Sequence, residues 1–273
     1  MKTKVILAAS AIAFIAFGFT KQNIPQGITE EVSPEKLRTI DNKAFKAGEA
    51  LHYRLHYGML NAGTATLEVN RFDKKIAGRE VYHIVGSGKS IGAFDWFFKV
   101  RDRYETFVDV DGLFPWMFVR DVSEGGYEIK QTYKFQQTKN KIDNGEGKTF
   151  EVPSGVQDML SAFYYARAID YTDAKKGEIF TVWSFVDDEL WPLKIRYLGK
   201  DEVKVGGQKY KALKFCPVVQ AGRLFKDEED VSVWISDDEN KIPLVAQGKV
   251  LIGSIKFELT KATGLANPLA KVE

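Results

Sequence analysis

Residues 50 to 57 read Ala-Leu-His-Tyr-Arg-Leu-His-Tyr, with Leu51, Tyr53, Leu55 and Tyr57 on one parity and His52, Arg54 and His56 on the other. A two-residue period belongs to an extended strand whose faces meet different surroundings, and it argues for a strand over a helix there. The period recurs at Tyr127, Ile129, Gln131, Tyr133 and Phe135, at Leu193, Ile195 and Tyr197, and at Leu251, Gly253, Ile255, Phe257 and Leu259. Turn residues such as NAG, AGR, DVDG, EGG, VGGQ and DDEN separate these segments. The pattern therefore predicts an all-β protein built on a curved antiparallel sheet, an open or half barrel, with one apolar wall facing inward.

The stretch from Phe94 to Val108 extends the pattern furthest. Phe94, Trp96, Phe98, Val100, Tyr104, Thr106 and Val108 share one parity, while Lys99, Arg101, Arg103 and Glu105 share the other. Read as one strand, it is about three times the usual length and predicts a bend around an enclosed interior. Asp102 falls on the apolar parity, where a carboxylate is costly unless paired. Two readings stay open for it: an inward group that anchors a ligand head or moves a proton, and an Asp bonded to backbone amides or a nearby Arg.

One segment departs from the β habit. In PSGVQDMLSAFYYARAID, Val156, Met159, Leu160, Phe163 and Tyr164 recur at helical spacing, and Ser154 with Gln157 fits a capping box. This predicts a single amphipathic helix over about 154–170, packed into the concave face of the sheet. Its flanks echo each other: KAGEALHYRLHYG resembles KKGEIFTVWSFVDD, and RYETFVDVDGLFP resembles VSVWISDDENKIP. Gly48 and Gly177 are 129 residues apart and Pro115 and Pro243 are 128 apart, which predicts two degenerate halves joined through the helix.

Around this domain, expected over 45–262, the chain changes character. Met1 to Lys4 is basic and Val5 to Phe19 is apolar, the pattern of a secretory signal over 1–20. The run is shorter than the roughly 20 residues that cross a bilayer as a helix, so no transmembrane span is expected after its removal. Residues 21–44 read as a linker or loosely packed arm, and 263–273 as a C-terminal tail. The expected product is a soluble monomer, exported or periplasmic. Cys216 is the only cysteine, so no intrachain disulfide forms, and its apolar neighbours mark it as a core residue. With 39 basic and 37 acidic residues interspersed, the formal charge of +2 gives no electrostatic case for nucleic acid or for a strongly anionic membrane surface.

The segments FKAGEALHYRLHYGMLNAGTATLEV, VRDRYETFVDVDGLFPW, QDMLSAFYYAR and VWISDDENKIPLVAQGKVLIGSIKFEL resemble the family of domain of unknown function 3108, exported proteins of Gram-negative bacteria. The resemblance implies an envelope protein and supplies no catalytic residue. The predicted architecture is also similar to half-barrel carriers of lipid chains, a likeness of fold alone.

Motifs of known chemistry are few. His52 and His56 lie four apart on a strand, about 13 Å by strand rise, too far to share one metal. DVDG lacks the later ligands of a calcium loop, and no nucleophile elbow or phosphate-binding glycine pattern occurs. No cofactor or metal is expected. What remains is aromatic surface, 13% of the chain, which either fills a core or lines a cavity. The cavity candidates are Tyr53, Tyr57, Trp96, Phe98, Asp102, Tyr104, Phe163 and Tyr164. The leading expectation is a non-catalytic binding or carrier protein for a lipid or other hydrophobic ligand. The alternatives are a scaffold that holds an envelope protein partner at a sheet edge, and a glycan-active enzyme using inward carboxylates such as Asp102 and Glu49.

Overall fold

Alternating segments fold into fourteen strands in the computed structural model, which describes residues 37–218, 231–249 and 253–272. In chain order they are β1 (Ala50–Tyr57), β2 (Leu60–Arg71), β3 (Val81–Ser90), helix α1 (Gly92–Phe97), β4 (Val100–Asp109), β5 (Pro115–Glu124), β6 (Tyr127–Gln136), β7 (Lys141–Asp143) and β8 (Thr149–Glu151). Helix α2 (Met159–Arg167) follows, then β9 (Ile179–Val186), β10 (Glu189–Val205), β11 (Gln208–Pro217), β12 (Val231–Ser236), β13 (Pro243–Lys249) and β14 (Ser254–Thr263). The strands form one sheet in the order β8-β7-β6-β5-β4-β3-β2-β1-β14-β13-β12-β11-β10-β9. Every pairing is antiparallel, and the first and last strands meet in the middle through β1 and β14. The sheet wraps a single helix without closing into a barrel.

At the open seam the chain covers its own edges. The Gln157 amide donates to the Trp183 carbonyl (2.9 Å) and the Phe185 amide donates to the Gln157 carbonyl (2.8 Å), a short parallel bridge on β9. The other edge strand, β8, is three residues long. Asp187 and Asp188, both at positive φ in the β9–β10 turn, reach across the seam, where Tyr133 Oη and Asn144 Nδ2 each donate to Asp188 at 3.0 Å. The parallel bridge covers the Trp183 to Phe185 part of the β9 edge.

The two predicted halves recur as backbone devices. Gly48 (φ +95°) donates to the Val69 carbonyl at 2.7 Å, and Gly177 (φ +92°) donates to the Tyr197 carbonyl at 2.8 Å. Both open an eight-residue strand from a left-handed backbone that a side chain strains. The second echo also holds: Leu113 (φ +48°) and Lys241 (φ +46°) close equivalent turns, and a register shift lies before Val108↔Pro115 as before Ile235↔Pro243.

Two expectations need correction. The predicted long strand from Phe94 is a helix and a strand: α1 ends at Phe97 and β4 begins at Val100. A short apolar run fits either period. Here Gly92 turns the chain at φ +58°, and Asp95 clips α1 down by accepting from Ser90 Oγ and Arg101 Nη1, both at 2.6 Å. The central helix is shorter than 154–170 and its cap lies further on. Asp158 accepts from the amides of Leu160 and Ser161 at 2.8 Å, and Ser161 Oγ accepts from the Asp158 amide at 2.9 Å. Ser154 cannot cap, because Gly155 (φ +67°) turns the chain before the helix begins.

Residues 1–20, and 21–36 of the expected arm, lie outside the described residues. From residue 37 the arm is anchored. Leu37 and Ala44 are buried, and Arg38 donates to the carbonyls of Gly112 and Leu113 at 2.8 and 3.0 Å. The tail is anchored too, with the Val272 amide donating to Lys209 at 2.9 Å. Cys216 is buried.

Candidate functional site

Helix α2 packs on β3, β4 and β9 and sends Leu160 and Tyr164 into a core with Ile84, Tyr104, Phe118 and Tyr133. Facing the second half, the same helix borders a cavity of about 220 Å³. The helix contributes Met159, Phe163, Ala166 and Arg167, and the sheet contributes Leu193, Ile195, Phe215, Val233, Ala246 and Phe257. Tyr53, Ala65 and Leu67 complete the wall where the two halves meet.

The register matches the filled side and the hollow side position by position. Across the first half, Val69, Ile84, Thr106, Phe118 and Tyr133 are successive strand partners. Across the second, the equivalent row is Tyr197, Phe215, Val233, Ala246 and Phe257. The paired glycines fix the match, since they bind Val69 and Tyr197, the first member of each row. Phe118, which lies between the rings of Tyr104 (6.4 Å) and Tyr133 (6.3 Å), therefore corresponds to Ala246. At that position a methyl stands on the cavity wall where the first half has a ring, while the rings of Tyr197 and Phe215 correspond to Val69 and Ile84.

Arg167, Tyr53 and Lys241 are among the polar side chains that reach the cavity. Arg167 donates to both oxygens of Glu49 (2.6 and 2.8 Å), to the Asn240 carbonyl (2.9 Å) and to the Ala44 carbonyl (3.1 Å). Its guanidinium lies 5.3 Å from the Phe45 ring centre and 5.2 Å from that of Tyr164. This buried pair fastens the end of α2 to the start of β1. Tyr53 is 8% exposed, and its hydroxyl has no hydrogen-bond partner among the described residues. Burial pushes its ionisation far above the ordinary range, so it stays a neutral donor.

Of the eight residues singled out from the sequence, the structure brings Tyr53 and Phe163 to the cavity. Tyr104 and Tyr164 belong to the filled core on the other side of the helix. Tyr57 lies against Phe94, with ring centres 5.9 Å apart, and Phe98 lies against Gly125. Trp96 is not an interior residue: it is 90% exposed on α1, because the helical turn rotates it away from the parity a strand would have given it. Asp102 is buried as its parity predicts, but away from the cavity, accepting from the Ser123 amide at 3.2 Å. Burial pushes its carboxyl up to about 6, against the opposing pull of Glu124 and the Ser123 amide. The inward carboxyls Asp102 and Glu49 do not share a cleft: one neighbours Glu124, the other is held by Arg167.

A family profile described as protein of unknown function, DUF3108, matches residues 52–260. The chain belongs to the DUF3108 family. Among solved structures, this DUF3108 chain is similar to a beta-barrel-like protein of domain of unknown function DUF1849 from Brucella abortus, at 14% identity and TM-score 0.53, over 80% of this chain and 98% of that one. A hypothetical protein, CT021, from Chlamydia trachomatis overlaps at 8% identity and TM-score 0.36, over 86% of this chain and 98% of that one. The first likeness speaks to the fold alone, and the second carries no argument. The comparison with curated proteins returns no match.

Sequence reasoning missed Arg167, Leu193, Phe215, Val233 and Ala246 as lining residues. A signal for Ala246 was present: the 128-residue offset between Pro115 and Pro243 carries Phe118 onto it. Arg167 gave none, because a basic residue in the last turn of an amphipathic helix is ordinarily read as solvated.

Proposed function

We propose that the chain is a non-catalytic binding or carrier protein of the periplasm that holds the apolar part of a hydrophobic or amphipathic envelope ligand between α2 and β10–β14. The observation that carries this reading is the cavity itself, an apolar space of about 220 Å³ walled by Phe215, Val233, Ala246 and Phe257. An engineered apolar cavity of about 150 Å³ takes up benzene, so this space suits one hydrocarbon chain or a small ring system. The buried Tyr53 hydroxyl, without a protein partner among the described residues, supports a ligand with one polar atom near the deep end. An exported location rests on the basic-then-apolar N-terminus.

Native mass spectrometry of the gently purified protein tests the reading, together with titration by a fluorescent long-chain fatty acid. A bound apolar molecule, or uptake of the probe, is expected, and Ala246→Phe abolishes either by filling the space while the melting temperature stays near that of the wild type. Protein that is empty and takes up no probe overturns it.

A further inference from the structure

Among the described residues, four large apolar side chains stand in solvent at one end of the sheet: Met59 is 99% exposed, Leu60 62%, Trp96 90% and Phe97 62%. They come from two segments that topology makes neighbours. The β1–β2 turn and the β3–β4 connection lie at the same end of adjacent antiparallel strands, and the Ile91 amide donates to the Ala62 carbonyl at 3.0 Å. Phe94 joins the two halves of the patch, its ring 5.9 Å from Tyr57 and 5.1 Å from Phe97. None of α1 is buried, yet Asp95 holds the helix in place through Ser90 and Arg101. A short helix fixed with its Trp and Phe pointing into water is a surface kept for contact.

The surrounding charge says what kind of contact. Exposed Lys89 and Lys99 flank the patch with no ion-pair partner among the described residues, while the acid on α1 is already bound by Arg101. Beside the patch, on the outer face, opens a polar groove of about 540 Å³ lined by Lys89, Arg101, Arg103 and Ser123, with Asp102 and Asp121 also on its wall. Among the described residues, the unpaired positive charge at the patch is therefore that of Lys89 and Lys99, since Arg101 and Arg103 are paired with Asp95 and Glu105. The apolar groups sit on a protruding turn and helix, a shape that enters a soft interface without a complementary pocket. Trp above apolar side chains with Lys at the rim is the arrangement that suits the lipid–water boundary. We propose that the tip formed by Met59, Leu60, Trp96 and Phe97 docks the protein on an anionic lipid surface, its lysines on the headgroups and its apolar side chains below them. The proposal does not depend on the cavity: probe uptake reads the interior, and vesicle binding reads the tip.

Tryptophan quenching by vesicles of brominated phosphatidylcholine mixed with phosphatidylglycerol tests it on the full chain. Trp116, Trp191 and Trp234 are buried and Trp183 is half-buried, so the quenchable emission is that of Trp96, and it disappears in Trp96→Phe. A Trp96→Glu/Phe97→Glu variant, with unchanged circular dichroism, loses vesicle association in flotation by about tenfold or more. Lys89→Glu/Lys99→Glu removes the preference for phosphatidylglycerol and its salt sensitivity. Three results overturn the proposal: no association with these vesicles, association with Trp96 unquenched, and a single stoichiometric protein partner in a vesicle-free extract that the Trp96→Glu/Phe97→Glu variant fails to bind.

Discussion

The half built from β1–β6 and the half built from β9–β14 start from the same glycine device and turn through the same left-handed corner, yet one is solid and the other hollow. The backbone hydrogen bonds at Gly48 and Gly177 differ by 0.1 Å, so the difference does not lie in how the strands are laid down. It lies in the side chains, and three exchanges bear on the helix and the cavity: two in the matched rows and one at the strand starts. Phe118 corresponds to Ala246, where a methyl on the cavity wall takes the place of a ring. Thr106, whose hydroxyl donates to Asp158 at 2.6 Å, faces Val233, which decides where the helix is tethered. Glu49, buried in its pair with Arg167, faces Glu178, which is exposed and accepts from the Lys175 amide. Thr106 and Glu49 tether α2 to the first half at two points that Val233 and Glu178 do not supply in the second, although α2 also packs on β9 and Arg167 reaches the Asn240 carbonyl. A duplicated framework thus acquires a binding space by loosening one copy, with the other left as the support.

Hollowing the solid half is the most disruptive way to test this. Phe118→Ala removes a ring that is 2% exposed and should lower unfolding free energy by about 4 kcal/mol in denaturant titration, within the usual range for a buried Phe truncation. The reciprocal Ala246→Phe should change stability by less than about 1 kcal/mol, because it enters existing space. Equal losses from the two would mean that the second half is not hollow in solution.

The next test concerns the strand starts. Glu49→Ala leaves the Arg167 guanidinium buried beside two carbonyls without a counter-charge, and unfolding free energy should fall by about 3 kcal/mol. Glu178→Ala, at the equivalent exposed position, should leave the denaturation midpoint where it was. A similar loss at both sites would break the claim that the carboxylate tether of the helix belongs to the first half alone.

Much of this framework was legible in the sequence, because strand parity and turn residues act over a few positions. Leu51, Tyr53 and Leu55 are buried as their alternation requires, and the glycine and proline echoes mark real equivalences. The failures have physical causes. Phe94, Trp96 and Phe98 alternate like a strand, but Gly92 and the Asp95 clip select a helix, and that choice depends on Arg101 packing across the turn. The cavity was half legible. Inward parity picked Tyr53 and helical spacing picked Phe163, but the wall also draws on Phe215, Phe257 and the small Ala246 of the second half, which were not singled out as lining. Tyr104 and Tyr164 look no different in sequence from a cavity wall, since what separates filled from empty is the partner across the sheet.

The smallest effect expected belongs to the tether. Thr106→Val makes the first half resemble the second at Val233 with almost no change of shape, deleting one hydroxyl from a site that is fully buried. Asp158 then loses the donor at 2.6 Å but keeps the amides of Leu160 and Ser161. Burial pushes the Asp158 carboxyl up to about 6, and the Thr106 hydroxyl is the strongest of the hydrogen bonds that hold it down. Because this carboxyl is raised rather than lowered, it favours the folded state fully below the unfolded value near 4. That contribution is lost as pH climbs through about 6, where the folded protein retains a proton the unfolded chain has released. Removing the hydroxyl raises the carboxyl further. The loss in Thr106→Val should therefore be about 1 kcal/mol near neutral pH and shrink toward zero at about pH 4. Denaturant titrations of both proteins at the two pH values measure it. A loss that stays constant with pH would show that Thr106 contributes packing alone and that α2 is not tethered through its cap.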